Sequence, residues 1–181
     1  MKITLIAGSN RPDASTTQLS QYIARLLQEH GHEAEVFNLY EHQLPLYGPG
    51  EAYGHEEVQQ LAQAAKSADA LVLATPEYHG SISGVLKNAL DFLGSDYFNN
   101  KAVLSANSAG GLIGTASLLH LQTIVRNVHG INCPEWISIG GSQREFNENG
   151  EPTDEGTELR IRKAVENFIE LASKLSSTSA S

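Results

Sequence analysis

The sequence has few cysteines and few basic residues, and it lacks long apolar runs. Cys133 is the one cysteine among 181 residues, so no disulfide can form within the chain. Twelve Lys and Arg residues against 21 Asp and Glu give a net charge of −9, which argues against a general nucleic-acid binder. No stretch approaches the roughly 20 apolar residues that span a bilayer. We therefore expect a protein of the reducing cytoplasm that binds neither nucleic acid nor membrane.

Length and composition predict one globular domain. Apolar residues make up 40% of the chain, and its 16 Gly and 6 Pro are too few for a collagen-like or low-complexity protein. A chain of 181 residues suits one compact unit. We expect a single domain over residues 1–175 and a frayed tail at 176–181.

Short apolar segments alternate along the chain with amphipathic helical patterns. The segments typical of strands are residues 2–7, 33–39, 69–75, 101–106 and 135–139. This alternation predicts an α/β fold, a doubly wound, five-stranded parallel sheet with helices on both faces. Because ligands of such folds bind at the carboxyl ends of the strands, the segments after the strands are the candidate sites.

The segment after the first strand, residues 8–17 (GSNRPDASTT), suits a phosphate group. Its hydroxyl and guanidinium groups belong to Ser9, Arg11, Ser15, Thr16 and Thr17. Such groups bind anions together with the free N–H groups at the start of a helix. The chain has neither G-x-x-x-x-G-K-[ST] nor G-x-G-x-x-G, which excludes the usual P-loop and dinucleotide fingerprints. A serine-capped helix start beside a surface arginine is the alternative.

Two later segments suit a planar ring. In residues 75–81 (TPEYHGS), backbone amides can follow the edge of a heterocycle while Tyr78 or His79 covers part of its face. In residues 105–114, a serine and a glycine pair allow close backbone approach; these are Ser108, Gly110 and Gly111. The alternatives are a solvated loop and an ordinary glycine turn. Together, the three segments favour one shared planar ligand that carries a phosphate.

Other chemistries lack their motifs. The seven histidines show no H-E-x-x-H spacing, and Cys133 has no neighbouring cysteine, so no metal site is expected. The G-x-S-x-G string of many hydrolases is absent.

The strings GSNRPDASTT and TPEYHGSISGVLKNALDFL closely resemble those of NAD(P)H-dependent FMN reductases. This flavodoxin-like group includes bacterial azoreductases and quinone or chromate reductases. The resemblance runs from about residue 2 to the last helix. It implies that the FMN phosphate is held by Ser9, Arg11, Ser15, Thr16 and Thr17. It implies that the isoalloxazine ring is lined by Pro76, Glu77, Tyr78, His79 and Gly80, with a third contact from Ser108, Gly110 and Gly111.

The same resemblance implies the reaction and the assembly. Hydride would pass from NADPH or NADH to bound FMN and on to a small-molecule acceptor, such as a quinone, an azo compound, free flavin or a metal oxyanion. No catalytic acid or base is expected, because the cofactor carries the redox step. A homodimer or homotetramer is implied, with the helix at 85–93 near the subunit contact.

Two alternatives stay open in the sequence. A non-enzymatic FMN electron carrier or redox sensor would share this fold, although flavodoxins usually carry a T/S-x-T-G-x-T string that is absent here. The acidic segment at 145–158 suits a solvated loop, or a cover for the active site of a neighbouring subunit.

Overall fold

The structure is a computed structural model that describes residues 1–48, 50–112 and 114–179, with side chains through Ser177. Its strands are β1 (Lys2–Ala7), β2 (Glu33–Asn38), β3 (Ala70–Pro76), β4 (Ala102–Ala109) and β5 (Ile131–Gly140). Its helices are α1 (Ser15–Glu29), α2 (Glu56–Ser67), α3 (Gly84–Asp91), the short α4 (Ser95–Phe98), α5 (Ala116–Asn127) and α6 (Glu155–Ser179). Single 3₁₀ turns lie at Glu51–Gly54 and Gly141–Arg144.

The strands form one parallel sheet in the order β2-β1-β3-β4-β5. From β1 the chain runs outward to β2, then returns to the other side of β1 to form β3. The gap between β1 and β3 is therefore the topological switch point, where ligands of open α/β sheets bind. The predicted doubly wound α/β fold is confirmed.

Apolar side chains cover both faces of the sheet. Leu19 and Ile23 of α1 pack with Phe168 of α6 on one face. Leu86 of α3 and Leu121 of α5 lie in the core on the other face. Each such side chain contributes about 1.5–3 kcal/mol when it leaves water. Since both faces are covered, every residue of β3 is buried, which explains why the sequence shows a continuous apolar run there.

The last two strands are longer than the sequence predicts. Strand β4 continues through Asn107, Ser108 and Ala109, which were expected in a loop. Polar residues are tolerated there because Asn107 hydrogen-bonds Ser117 in α5. Strand β5 begins at Ile131 and contains Pro134, beside a register shift in the β4–β5 pairing. Proline is tolerated because β5 is an edge strand with a bulge.

The final helix is also longer than expected. Residues 176–179, expected in a frayed tail, belong to α6, whereas residues 180 and 181 lie outside the described residues.

No helix in the described part of the chain is long and apolar enough to cross a bilayer.

Candidate functional site

Gly8 anchors the loop between β1 and α1 at the switch point. Its N–H donates to the carbonyl of Ala74 in β3 at 2.8 Å. Its carbonyl accepts from Ser83 Oγ at 2.5 Å. Ser83 Oγ in turn accepts from the Leu86 N–H at 3.1 Å, which caps α3. A β-carbon on Gly8 would lie 2.7 Å from the Ala74 carbonyl oxygen, so glycine is required at this close approach.

The start of α1 carries free donors. Its N-cap residue is Ala14, whose side chain cannot cap, so the serine-capped alternative is wrong. The N–H groups of residues 15–17 have no hydrogen-bond partner among the described residues. Thr17 Oγ1 is buried and also lacks a partner there. An anion at this helix start would satisfy these donors.

Arg11 adds positive charge beside the helix start. Its side chain is exposed, and it forms no ion pair within residues 1–48, 50–112 and 114–177. It lines a cavity of about 210 Å³ together with Thr17, Asp13 and Glu41. The first turn of α1 has no acidic residue, so the positive end of the helix dipole is uncompensated there. The orphan hydroxyl, the free N–H groups and the guanidinium fit a phosphate group.

Ser15 and Ser108 connect the first and third candidate segments. Their hydroxyl oxygens lie 2.7 Å apart, although 93 residues separate them in the sequence. Ser108 is 5% exposed, and its carbonyl accepts the Glu77 N–H at 2.9 Å. The ends of β1, β3 and β4 therefore meet at one edge of the sheet, as the sequence predicts for a shared ligand.

Residues 78–81 form a tight turn at the end of β3. The N–H and carbonyl of Tyr78 pair with the carbonyl and N–H of Ser81, each at 3.0 Å. The φ angles of His79 (51°) and Gly80 (73°) are both positive, as in a type I′ turn. The N–H groups of His79 and Gly80 have no partner in the described part of the chain. Both residues are exposed, so these donors are available to a ligand.

The side chain of Glu77 points to helix α5. Its Oε2 accepts the Ser117 N–H at 3.0 Å, Ser117 Oγ at 2.9 Å and Asn107 Nδ2 at 3.5 Å. The carboxylate therefore caps the start of α5, because the N-cap residue Thr115 makes no side-chain hydrogen bond there. Oε2 of Glu77 is thus held by α5 and its neighbour Asn107, while the backbone of Glu77 is available to line a ring.

The segment after β4 is exposed at Gly110, Gly111 and Leu112. A β-carbon on Gly110 would meet no atom within 4 Å, so this glycine leaves open space beside the edge. Gly140 of β5 supports the segment from behind, because a β-carbon there would lie 2.8 Å from the Leu112 carbonyl oxygen. The contacts predicted for Ser108, Gly110 and Gly111 remain predictions.

Sequence reasoning missed the buried polar residues behind the edge. Asn107 is fully buried, and its amide nitrogen donates to the Gly114 carbonyl at 2.5 Å and to Ser117 Oγ at 2.8 Å. Its Oδ1 has no partner in the described part of the chain. The one available signal was an asparagine at the end of an apolar strand, a position that requires hydrogen-bond partners.

The acidic segment at 145–158 lies against α1 of its own chain. The guanidinium of Arg25 donates to the carbonyls of Asn149 and Gly150, the latter at 2.6 Å. Phe146 and Pro152 form an isolated antiparallel bridge that closes the segment. Residues 145–154 thus form a loop on the chain's own surface, and residues 155–158 are the first turn of α6.

Cys133 does not take part in the site. Its side chain is 2% exposed, and burial raises the pKa of its thiol to about 12. A thiol with that pKa stays protonated at neutral pH and is a poor nucleophile.

Known proteins resemble this chain in sequence and in fold. Residues 1–144 match the profile of the NADPH-dependent FMN reductase family. The FMN-dependent NADPH-azoreductase of Staphylococcus aureus (strain USA300) is 38% identical over 176 residues, which cover 93% of this chain and 94% of the relative.

Two solved structures share the fold. The flavoenzyme NAD(P)H:(acceptor) oxidoreductase FerB from Paracoccus denitrificans superposes with a TM-score of 0.81 at 24% identity, covering 96% of this chain and 97% of FerB. A flavodoxin from the domain Archaea superposes with a TM-score of 0.64 at 12% identity, covering 97% and 99%. Fold likeness alone therefore does not separate a reductase from an electron carrier, whereas the family match does. The chain belongs to the NADPH-dependent FMN reductase family, and the sequence predictions of an oxidoreductase that uses FMN and NAD(P)H are confirmed.

Proposed function

We propose that this chain is an NADPH-dependent reductase of azo or quinone compounds that holds FMN at the carboxyl edge of β1, β3 and β4. The observation that carries the proposal is the set of donors at the start of α1 that have no partner among the described residues, joined to the end of β4 by the 2.7 Å contact between Ser15 and Ser108. An FMN molecule carries one phosphate and one planar ring, which match this site and the neighbouring exposed turn.

The proposed FMN contacts fall into two groups, one for the phosphate and one for the ring. At the phosphate end we assign Ser9, Arg11, Ser15, Thr16 and Thr17. These residues supply hydroxyl donors, the N–H groups of the first turn and one positive charge, which together offset the charge of a phosphate.

At the ring end, the backbone around Pro76 and Glu77 and the 78–81 turn provide the contacts. The unpartnered N–H groups of His79 and Gly80 are donors for polar ring atoms, and Tyr78 is 39% exposed and available to cover a ring. FMN bound at this edge would supply two-electron transfer from the donor to the acceptor. No side chain at this edge is needed as an acid or base, so the protein's task is to bind and orient.

The azoreductase relative supports an azo compound as acceptor, because the alignment covers 93% of this chain. The same relative and the family description support NADPH over NADH. Quinones, free flavin and metal oxyanions fit the same exposed edge, and no described residue selects against them.

Anaerobic mixing of the FMN-loaded protein with NADPH, and separately with NADH, tests this function. We expect the absorbance of oxidised flavin to disappear faster with NADPH and to return when an azo dye is added. Flavin colour that persists with both donors would support the electron-carrier alternative instead.

Two further assignments belong to the proposal. A homodimer or homotetramer follows from the family resemblance, with α3 near the contact. A cytoplasmic location agrees with one buried cysteine, which needs no oxidising compartment.

A further inference from the structure

Side chains of helix α5 contact Ser81, the last residue of the 78–81 turn, and Glu77, the residue before it. Before the turn, the Glu77 carboxylate accepts from the Ser117 N–H at 3.0 Å and from Ser117 Oγ at 2.9 Å. At the end of the turn, Ser81 Oγ lies 3.0 Å from Nδ1 of His120. Ser117 and His120 are three residues apart, so they share one face of the helix. One face of α5 therefore contacts the residue just before the turn and the last residue of the turn.

The turn depends on such outside contacts. His79 has a φ angle of 51°, a left-handed conformation that residues with a β-carbon rarely adopt. Within the turn, two backbone hydrogen bonds between Tyr78 and Ser81 support this conformation. Strained backbone persists where the surrounding structure fixes it, and it is often found at ligand sites.

The Glu77 carboxylate acts here as a hydrogen-bond acceptor. No lysine, arginine or histidine forms an ion pair with it in the described part of the chain. Its partners are the N–H and hydroxyl of Ser117 and the amide of Asn107, all of them donors. A glutamine at position 77 would keep an oxygen acceptor in the same place, whereas an alanine would remove it.

We propose that Glu77, Ser117 and His120 are positioning residues for the flavin ring. They hold the 78–81 turn against α5, so that the N–H groups of His79 and Gly80 stay available to the ring, and they do not contact the phosphate. This inference rests on the proposed function, because it takes the edge to be the FMN site.

Flavin titration of the apoprotein tests the proposal, since riboflavin has the ring of FMN without the phosphate. Glu77→Ala is expected to weaken the binding of FMN and of riboflavin by the same factor, about tenfold, which is the effect of losing hydrogen bonds to a charged acceptor. His120→Ala, at an exposed position, is expected to weaken both by about threefold and serves if Glu77→Ala does not fold. Glu77→Gln is expected to restore most of the affinity.

Matched variants separate positioning from general damage. Arg11→Ala is expected to weaken FMN binding and leave riboflavin binding unchanged, because it removes a proposed phosphate contact. Asp154→Ala removes another carboxylate that caps a helix, since Asp154 Oδ2 accepts the Thr157 N–H at 2.7 Å at the start of α6. It is expected to lower the melting temperature and leave both flavin affinities unchanged.

The two possible failures are distinguishable. A wild-type protein that binds neither flavin would contradict the proposed function itself. A wild-type protein that binds both, together with unchanged affinities in Glu77→Ala and His120→Ala, would overturn the positioning role alone. Weakening of FMN but not of riboflavin in these variants would also overturn it.

Discussion

Within the part of the chain that the structure describes, Arg11 forms no ion pair, and it lies next to a helix start whose N–H donors have no partner. Replacing it with alanine should weaken FMN binding by about 1–3 kcal/mol, the range for a lost charge-assisted hydrogen bond. Fluorescence titration of the apoprotein with FMN measures this loss. Equal affinity in Arg11→Ala and wild type would show that the phosphate lies elsewhere.

Tyr22 is a buried phenol between α1 and α6. Its side chain is 2% exposed, its hydroxyl donates to Glu158 Oε1 at 3.2 Å, and the guanidinium groups of Arg25 and Arg162 lie 5.4 and 5.9 Å from its ring centroid. Burial raises the pKa of Tyr22 to about 12, whereas an unfolded tyrosine titrates near 10.

This pKa difference predicts a loss of stability in alkali. Between about pH 10 and 12 the unfolded chain releases the Tyr22 proton and the folded chain keeps it, so the free energy of unfolding falls as pH rises. In Tyr22→Phe this contribution to the decrease in the free energy of unfolding should disappear. Urea unfolding at several pH values, compared with wild type, measures the difference. Parallel curves for the two proteins would contradict the burial of a neutral Tyr22.

Individual side chains were the hardest part of the site to predict. The sequence indicated which hydroxyl groups are candidates for a phosphate site, because they follow one strand directly, and their contact with a phosphate remains a prediction. It did not indicate that the Glu77 carboxylate turns to Ser117, because that contact spans 40 residues and depends on where α5 begins. Motif position located the residue, whereas the direction of its side chain required tertiary structure.

At the scale of elements, the packing of β1, β3 and α3 around Gly8 fixes the switch point. Gly8→Ala should lower the free energy of unfolding by about 1–3 kcal/mol, because the new β-carbon would lie 2.7 Å from both the Ala74 carbonyl oxygen and Leu86 Cβ. Gly84→Ala is the matched control, since a β-carbon there meets nothing within 4 Å. This control should be neutral, or stabilising by up to about 1 kcal/mol. Urea unfolding measures both variants, and equal effects would contradict the tight packing at Gly8.

The elements that the sequence predicted well have a clear period or a continuous apolar run. Strand β3 belongs to this class because its continuous apolar run is buried on both faces of the sheet. Helix α1 belongs to it because its helical period places the apolar residues on one buried side. Strand β5 was predicted too short, since Pro134 and the polar residues around it are typical of a loop. An edge strand with a bulge accepts such residues, and nothing local in the sequence identifies a strand as an edge.

At the scale of the whole molecule, subunit association is the open structural prediction. Helices α3 and α5 border a cavity of about 390 Å³ that is lined partly by Ile82 and Ile124, and Leu119 of α5 is 53% exposed. We expect a particle of two or four times the 19.5 kDa chain mass.

A charge on this surface should dissociate the particle. Leu119→Glu is expected to lower the mass measured by light scattering, because a carboxylate buried at an interface lacks a partner. Leu159→Glu is the control, since Leu159 is 60% exposed and belongs to α6, which packs on the opposite face of the sheet from α3 and α5. A wild-type monomer, or an equal effect of both changes, would contradict a contact at α3 and α5.

The central claim is that FMN lies across the carboxyl edge of β1, β3 and β4 with its phosphate at the start of α1. A crystal structure of the protein grown with FMN tests it most directly. The account predicts the phosphate within hydrogen-bond distance of the N–H groups of residues 15–17 and of Arg11, and the ring beside the 78–81 turn. A flavin bound at any other edge or face of the sheet would contradict it.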